Sequence, residues 1–188
     1  MSIIVVVKKN DKIVIAADRN YSLGSINIKS IYLRSRTKIQ VFGDSFIGTV
    51  GATAHEHVLA DLLRRYRDEL SFNSEREIFS SYLRMHAILK EEYYLNTFDS
   101  EDHPDYESSQ IDALIASPQG IFGMFTWREV YEYERFWAIG SGRNFALGSL
   151  FSTYDRLDDA EEIAELAVGA ASEFDDSCEL PIDLRCIQ

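Results

Sequence analysis

The first eighteen residues constrain the fold more than any other part of the chain. Ile3 to Val7 and Ile13 to Ala17 are runs of β-branched or small apolar residues, and the polar stretch Lys9 to Lys12 separates them. Two such runs on either side of a polar turn are typical of a β-hairpin. We therefore predict a hairpin that starts at Ser2 and ends at Asp18.

The serine at position 2 also suggests a chemistry. Removal of Met1 would make Ser2 the N-terminal residue, so that a hydroxyl and a free α-amine would lie on one residue. An α-amine with a pKa of about 7.7–8.0 can act as a base at neutral pH. This arrangement is that of an N-terminal nucleophile hydrolase, although an ordinary buried strand that begins with serine also explains the hairpin. A retained Met1 would turn the amine into a peptide nitrogen and remove the base.

Composition narrows the class of protein. The chain has 188 residues, of which 46% are hydrophobic and 27% charged, and we expect one globular domain over residues 1–188. The net charge of −12 argues against nucleic acid or an anionic membrane surface as a partner. The sequence contains no apolar run long enough to cross a bilayer, so no membrane partner is expected.

The cysteines and histidines do not indicate a metal or a cofactor. Cys178 and Cys186 follow no metal-ligand spacing, and two thiols without a secretion signal fit a reducing cytosol, so we expect a cytoplasmic protein. His55, Glu56 and His57 with Asp61 imitate a ligand set but lie on one charged turn at the start of a helix. We expect no metal and no cofactor.

The remaining chain alternates strands and helices. A turn is expected at Tyr21 to Ser25, followed by an extended segment to Leu33, and Asn73 or Ser74 with Glu77 forms a capping box. The acidic segment from Asp99 to Glu107 is expected to be a solvated loop or a ring contact. Further strands are predicted at 38–42 and 45–50, in a meander at 110–116, 121–127, 130–133 and 136–139, and at 182–187. Helices are predicted at 55–70, after Ser74, at 140–154 and at 160–174. Two sheets with helices arriving in pairs predict an α+β fold, a four-layer α-β-β-α sandwich of antiparallel sheets.

Four short motifs resemble those of proteasome β-type subunits. They are the hairpin ending in Ala16-Ala17-Asp18, the segment Lys38 to Phe42, the strand end Ile47 to Gly51, and Ala138-Ile139-Gly140-Ser141-Gly142 before a helix. The resemblance extends over the whole chain in order, and it is nearest to bacterial HslV peptidase and the bacterial β-proteasome homologue group. It implies the N-terminal nucleophile hydrolase fold.

The resemblance also implies roles for individual residues. Ser2 would be the nucleophile, Asp18 and Lys38 its buried partners, and Gly51 the backbone N–H donor to the oxyanion. Ser141 and Asp175 match an accessory pair around the N-terminal amine. Ser22, Thr49 and Thr53 would bind substrate, with Ile31 beside them.

The chain departs from the family pattern at three points. The nucleophile is Ser where the family uses Thr, so the methyl group that restricts χ1 is missing. The interval from Asp18 to Lys38 is four residues longer than usual, and Arg34 lies at the usual spacing. We prefer Lys38 because it leads directly into an apolar strand and because an Arg does not give up its proton. Cys178 lies where many members have a supporting Ser.

The resemblance and the departures from it leave three functions open. The first is a self-compartmentalising peptidase, a homo-oligomeric double ring of twelve or fourteen subunits that cleaves unfolded polypeptides, with a hexameric ATPase unfoldase as a candidate partner. The second is a similar barrel with little or no peptidase activity, and the third is a free-standing small-molecule amide hydrolase. Apolar residues expected to form ring contacts are Phe79, Tyr82, Tyr93, Tyr94, Phe125 and Trp127.

Overall fold

The structure, a computed structural model, describes residues 2–24, 26–34, 36–98 and 106–188. Met1, Ser25, Ser35 and most of the acidic segment, residues 99–105, lie outside this description. In the described part of the chain no helix is long and apolar enough to span a bilayer.

The predicted N-terminal hairpin is confirmed. Strand β1 covers Ile3–Lys9 and strand β2 covers Lys12–Asp18, paired antiparallel. The turn residues Asn10 and Asp11 both have positive φ, of 50° and 62°. Asn and Asp tolerate this conformation best among residues with a side chain, which explains why this polar turn closes the hairpin so tightly.

The hairpin forms the centre of a four-stranded sheet in the order β10-β1-β2-β11. Its edge strands are β10 (Phe136–Gly140) and β11 (Ile182–Ile187). A second sheet has five strands in the order β5-β6-β7-β8-β9. These strands are β5 Ile39–Phe42, β6 Ser45–Val50, β7 Asp112–Ser117, β8 Gly120–Met124 and β9 Val130–Tyr133.

Helices cover the outer face of each sheet. Helices α1 (Ala54–Arg65) and α2 (Glu75–Glu91) pack on the five-stranded sheet through one apolar cluster. Helices α3 (Arg143–Thr153) and α4 (Ala160–Phe174) pack on the four-stranded sheet through another. A third cluster lies between the two sheets. The predicted four-layer α-β-β-α sandwich is therefore confirmed.

This layering explains the continuous apolar run in β1. Ile3, Val5 and Val7 point to the helical layer, whereas Ile4 and Val6 point to the opposite sheet. Successive side chains of a strand alternate between its faces, so a strand buried on both faces must be apolar throughout. Full burial of each such side chain is worth about 1.5–3 kcal/mol.

Helix boundaries follow the predicted capping chemistry closely. The Ser74 side chain accepts a hydrogen bond from the N–H of Glu77 at 3.3 Å, and the Asp159 side chain caps α4. The first helix is shorter than predicted. It ends at Arg65, and a 3-10 turn follows at Arg67–Glu69. Helical spacing predicts that α4 buries Ile163, Leu166, Ala167 and Ala170. Leu166 is instead exposed and Val168 is buried, so this prediction is wrong at Leu166.

Three other predictions were wrong. The segment from Tyr21 is a short strand, β3 (Tyr21–Leu23), paired with β4 (Ile26–Ile28). The predicted extended segment is confirmed only over β4, because a 3-10 turn follows at Ser30–Tyr32. Tyr82, proposed as a ring contact, is buried under the second sheet and donates a hydrogen bond to the Thr126 carbonyl.

The third wrong prediction is the four-stranded meander. Strands β7, β8 and β9 follow one another in one sheet, but β10 crosses to the other sheet and pairs with β1. The register pairs Gly140 with Ile3, which brings the end of β10 next to Ser2. A sequence-local turn pattern does not reveal this change of sheet.

Gly140 is required by this close approach. Its φ is 109°, and a Cβ at this position would lie 2.1 Å from the carbonyl oxygen of Ser2. We expect Gly140→Ala to lower the free energy of unfolding by about 1–3 kcal/mol, because both the φ and the contact become strained. Chemical unfolding at fixed protein concentration measures the change.

Gly169→Ala is the matched control for this substitution. Gly169 lies within α4, and nothing lies within 4 Å of a Cβ built on it. Alanine should therefore stabilise the helix by about 0.5–1 kcal/mol. Equal effects of the two substitutions would contradict the strain argued for Gly140.

Candidate active site

Ser2 lies at the start of β1, held by residues on both sides. The N–H of the next residue, Ile3, donates to Asp18 Oδ1 at 2.9 Å, and Ser141 Oγ donates to the Ser2 carbonyl at 3.4 Å. Ser2 is buried but lines a pocket that opens to the surface. The ends of β2 and β10 thus fix the backbone that carries the hydroxyl.

A buried ion pair lies directly behind Ser2. Lys38 Nζ donates to Asp18 Oδ1 at 2.7 Å, and the two side chains are only 2% and 0% exposed. Asp18 also accepts from the N–H groups of Ile3 and Asn20, at 2.9 and 3.0 Å. A buried carboxylate is tolerated when it has this many donors, one of them charged.

Lys38, and not Arg34, is the cation that pairs with Asp18. Lys38 directly precedes β5 and reaches Asp18, whereas Arg34 is exposed. The Lys38 backbone is tied to the neighbouring strand, because the Thr49 N–H donates to its carbonyl at 3.3 Å. The extra residues between Asp18 and Lys38 are therefore accommodated by β3, β4 and the 3-10 turn.

Gly51 follows the end of β6 and lines the same pocket as Ser2. Its φ of 120° is disfavoured for residues with a side chain, so glycine allows the chain to turn there. The pocket wall also includes Ser22, Thr49 and Thr53, the three predicted substrate-binding residues. Ile31 is 80% exposed and does not line this pocket.

Sequence reasoning missed three polar residues of this pocket, Asn20, Tyr21 and Glu56, and two apolar ones, Val50 and Ala52. Asn20 and Tyr21 directly follow the Asp18 motif, and Glu56 lies in the first turn of α1. The pattern of polar and apolar residues along the sequence does not indicate that these polar side chains are buried. The available signal was nearness in sequence, to Asp18 for Asn20 and Tyr21 and to Gly51 for Glu56.

Charges in the pocket are balanced in pairs. Glu56 forms an ion pair with Arg36 at 3.3 Å, and the Arg36 guanidinium also stacks over the Tyr21 ring at 4.8 Å. Burial raises the pKa of Glu56, and the positive charges of Arg36 and Lys38 oppose this shift. Burial, together with the charge of Glu56, also raises the pKa of Tyr21, so its hydroxyl stays protonated at neutral pH.

The accessory residues are only partly brought together. Ser141 touches the Ser2 backbone, as described, whereas the Asp175 carboxylate accepts the N–H of Ser177 at 2.8 Å at the end of α4. Cys178 lies between these elements, and burial together with the charges of Asp18 and Asp175 raises its pKa to about 12. Cys178 is therefore a neutral thiol at physiological pH and a poor nucleophile.

A metal site is not formed by the described residues, which bring no three His, Cys, Asp or Glu side chains together around a common point. The chemistry available beside Ser2 is that of a hydroxyl, a buried ammonium–carboxylate pair and backbone N–H groups.

The buried pair generates a prediction about stability. Lys38→Met keeps the length of the side chain but leaves the Asp18 carboxylate buried without its cation, which should lower the free energy of unfolding by about 3–5 kcal/mol. Arg34→Met, at an exposed position, should change it by less than about 0.5 kcal/mol. Chemical unfolding of the two variants at equal protein concentration measures the free energy of unfolding. Similar decreases in the two variants would show that the Asp18–Lys38 pair does not stabilise this region.

Known proteins share both the sequence pattern and the fold. The proteasome subunit family matches residues 2–183. The structure of BPH from Thiobacillus denitrificans is similar at 36% identity and a TM-score of 0.92, covering 99% of this chain and 97% of that one. A complex of the same protein with epoxomicin matches at 35% identity and a TM-score of 0.92, covering 99% and 98%. Eukaryotic HslV from Trypanosoma brucei shares the fold at 23% identity and a TM-score of 0.74, with 99% of each chain covered. The chain belongs to the proteasome subunit family.

Proposed function

We propose that this chain is the subunit of a barrel-shaped peptidase that cleaves peptide bonds with Ser2 as its N-terminal nucleophile. The observation that carries the proposal is that Ser2 lines one pocket together with Lys38, whose ammonium is paired with the buried Asp18. Membership of the proteasome subunit family supports the same reaction class.

The proposed reaction needs only groups that this chain supplies, once Met1 is removed. The Ser2 hydroxyl oxygen attacks the peptide carbonyl carbon while its proton passes to the free α-amine. The C–N bond then breaks, the proton moves to the leaving amine, and the acyl group remains as an ester on Ser2. Water hydrolyses this ester and restores the hydroxyl.

Neighbouring groups would support these steps. The Lys38 ammonium, held by Asp18, places positive charge near the hydroxyl and favours its deprotonation. Gly51 is proposed to donate its N–H to the oxyanion, an interaction whose loss costs about 10²–10³ in rate at comparable sites. Ser141 and Asp175 are proposed to position the α-amine.

A barrel with little or no activity is the second candidate, and the identity of the nucleophile favours it. Serine lacks the methyl group of threonine, so its χ1 is less restricted and the attacking rotamer less preorganised. Retention of Met1 would favour the same outcome, because it removes the amine base. A free-standing amide hydrolase is the third candidate, and the state of assembly separates it from the other two.

The activity prediction concerns position 2. Protein without Met1 should hydrolyse short fluorogenic peptides, Ser2→Ala should abolish the activity, and Ser2→Thr should raise it. Intact mass establishes the N-terminus, and epoxomicin, which a relative binds, should block hydrolysis by the processed form. Full activity of Ser2→Ala would place the chemistry elsewhere, and complete retention of Met1 in native material would favour the inactive barrel.

Two apolar surfaces support assembly into rings. The first, the arm, consists of β3, β4 and the following 3-10 turn, and its Leu23, Ile26, Ile31 and Tyr32 are more than half exposed. The second, the aromatic groove, is lined by Phe125, Tyr131, Tyr133 and Trp137, with Asp112, Glu129 and Arg143 also in its wall.

These surfaces lie at opposite edges of the four-stranded sheet. The arm is bonded to the segment that leads into β11, through Asn27 with Asp176 and Lys29 with Glu179. The groove runs along β10, the other edge strand. When one patch of a subunit meets a different patch on the next, repetition closes into a ring if the rotation allows. We propose a cytoplasmic double ring of twelve or fourteen subunits that acts on unfolded polypeptides, with a hexameric ATPase unfoldase as candidate partner.

Assembly can be tested at the arm. Ile31→Asp places a charge at an apolar contact and should convert the ring into smaller species in native mass spectrometry, without loss of the fold, because Ile31 is 80% exposed. Ile31→Val is the matched control and should assemble normally. A monomeric or dimeric wild-type protein at micromolar concentration would contradict both barrel proposals.

A further inference from the structure

A cleft lined by three arginines lies beside β11, an edge strand of the four-stranded sheet. Arg19 directly follows β2, Arg36 lies two residues before Lys38, and Arg185 lies on β11, so the guanidinium groups come from three segments of the chain. None of the lining residues of this cleft lines the pocket that contains Ser2. We call this site the arginine cleft, and its other lining residues are Thr37, Ile182, Asp183 and Leu184.

Positive charge is in excess in the arginine cleft. Its lining carries three guanidinium groups and one carboxylate, that of Asp183, although the whole chain has a net charge of −12. Both oxygens of Asp183 already have partners, because Oδ1 pairs with Arg185 at 2.6 Å and Oδ2 accepts the Thr37 hydroxyl. Arg36 pairs at 3.3 Å with Glu56, which does not line the cleft. Two of the three guanidinium groups are therefore balanced by a carboxylate.

Arg19 is the arginine of this cleft that lacks a carboxylate partner. Its Nη2 donates to the Arg36 carbonyl at 3.2 Å, and it forms no ion pair with an acidic side chain in the described part of the chain. Its Nε is buried and has no hydrogen-bond partner among the described residues. A partly buried charge without an opposite charge is unfavourable, so an anion bound beside Arg19 would be stabilised.

The other two arginines keep donors for a further acceptor. Within the described residues, the side-chain hydrogen bonds of Arg36 use its Nη2, and those of Arg185 use its Nη1. Each guanidinium group carries five N–H donors. Both side chains can therefore bind a ligand while they keep the partners that they have.

A phosphate group fits this set of donors better than a carboxylate does. A carboxylate has two oxygens in one plane, whereas the tetrahedral oxygens of a phosphate can accept from several guanidinium groups at once. A phosphate monoester also carries a charge of about −1.5 to −2 at neutral pH, against −1 for a carboxylate. We propose that the arginine cleft binds a phosphate group, either free or as the monoester of a small molecule. The proposal does not depend on the peptidase function.

Binding would join segments that also meet at the buried ion pair. Arg19 follows Asp18, Arg36 lies close before Lys38, and β11 is paired with β2. A ligand that binds the folded chain but not the unfolded chain stabilises the fold by mass action. Phosphate should therefore raise the Tm of the wild-type protein more than chloride does at the same ionic strength.

Titration calorimetry at constant ionic strength measures the affinity directly. We expect the Kd of the wild-type protein for inorganic phosphate to be at least about tenfold lower than its Kd for acetate, and Arg19→Gln should raise the phosphate Kd by about tenfold. Arg34→Gln is the matched control, because Arg34 is exposed and does not line the cleft, and it should leave the Kd unchanged. Equal phosphate affinity of the two variants, or equal affinity of the wild type for phosphate and acetate, would overturn the proposal.

A second variant keeps the test valid if Arg19→Gln does not fold. The Arg185 side chain is 41% exposed, so Arg185→Gln should fold, and its phosphate Kd should rise by several-fold. An unchanged Kd in this variant would contradict the assignment of the cleft.

Glycerol 2-phosphate distinguishes the two sources of the phosphate group. Tighter binding of this compound than of inorganic phosphate would assign the cleft to monoesters, and weaker binding would assign it to free phosphate. Failure of both compounds to bind would overturn the proposal.

Discussion

The region around Ser2 depends on the buried ion pair between Asp18 and Lys38. Asp18 ends β2, Lys38 precedes β5, and the Ile3 N–H of β1 is bound to the same carboxylate, so one side chain joins both sheets and the N-terminal strand. A buried charge without its partner is strongly unfavourable. The ion pair therefore holds β1, the end of β2 and the start of β5 in fixed positions relative to one another. This is the physical basis for the fixed position of Ser2, the proposed nucleophile, next to β1.

Burial on both faces of β1 provides the rest of the support. Its side chains enter the helical cluster on one side and the cluster between the sheets on the other. The end of β10 completes the surroundings of Ser2, because Gly140 permits a backbone contact that any side chain would block. Ser2 therefore lies between strands that are packed on both faces, with the pocket formed by the loops and strand ends around it.

Polar and charged side chains line much of the pocket that contains Ser2. Lys38 is paired with Asp18, the nearby Arg36 is paired with Glu56, and Asn20 Oδ1 has no hydrogen-bond partner among the described residues. The nearby Cys178 thiol does not compete with Ser2, because its pKa of about 12 keeps it neutral.

The sequence by itself determined the elements whose physical cause is local. Apolar runs around a polar turn produce the first hairpin, the spacing of Ser74 and Glu77 produces a capped helix, and Asp159 begins α4 through its side chain. The order of strands and helix pairs was sufficient for the four-layer fold, because each sheet must cover its outer face.

Only the tertiary structure decided which distant residues meet. Three features depend on contacts between segments far apart in the chain. Strand β10 pairs with β1 in the first sheet, Lys38 is buried against Asp18 whereas Arg34 is exposed, and Glu56 lines the same pocket as Ser2. The exposure of Leu166 and burial of Tyr82 likewise depend on which layer each helix faces. Local patterns indicate whether a residue favours a strand, a helix or a turn. The partner of a buried charge is set by the packing of whole sheets, so a short stretch of sequence does not reveal which residue it is.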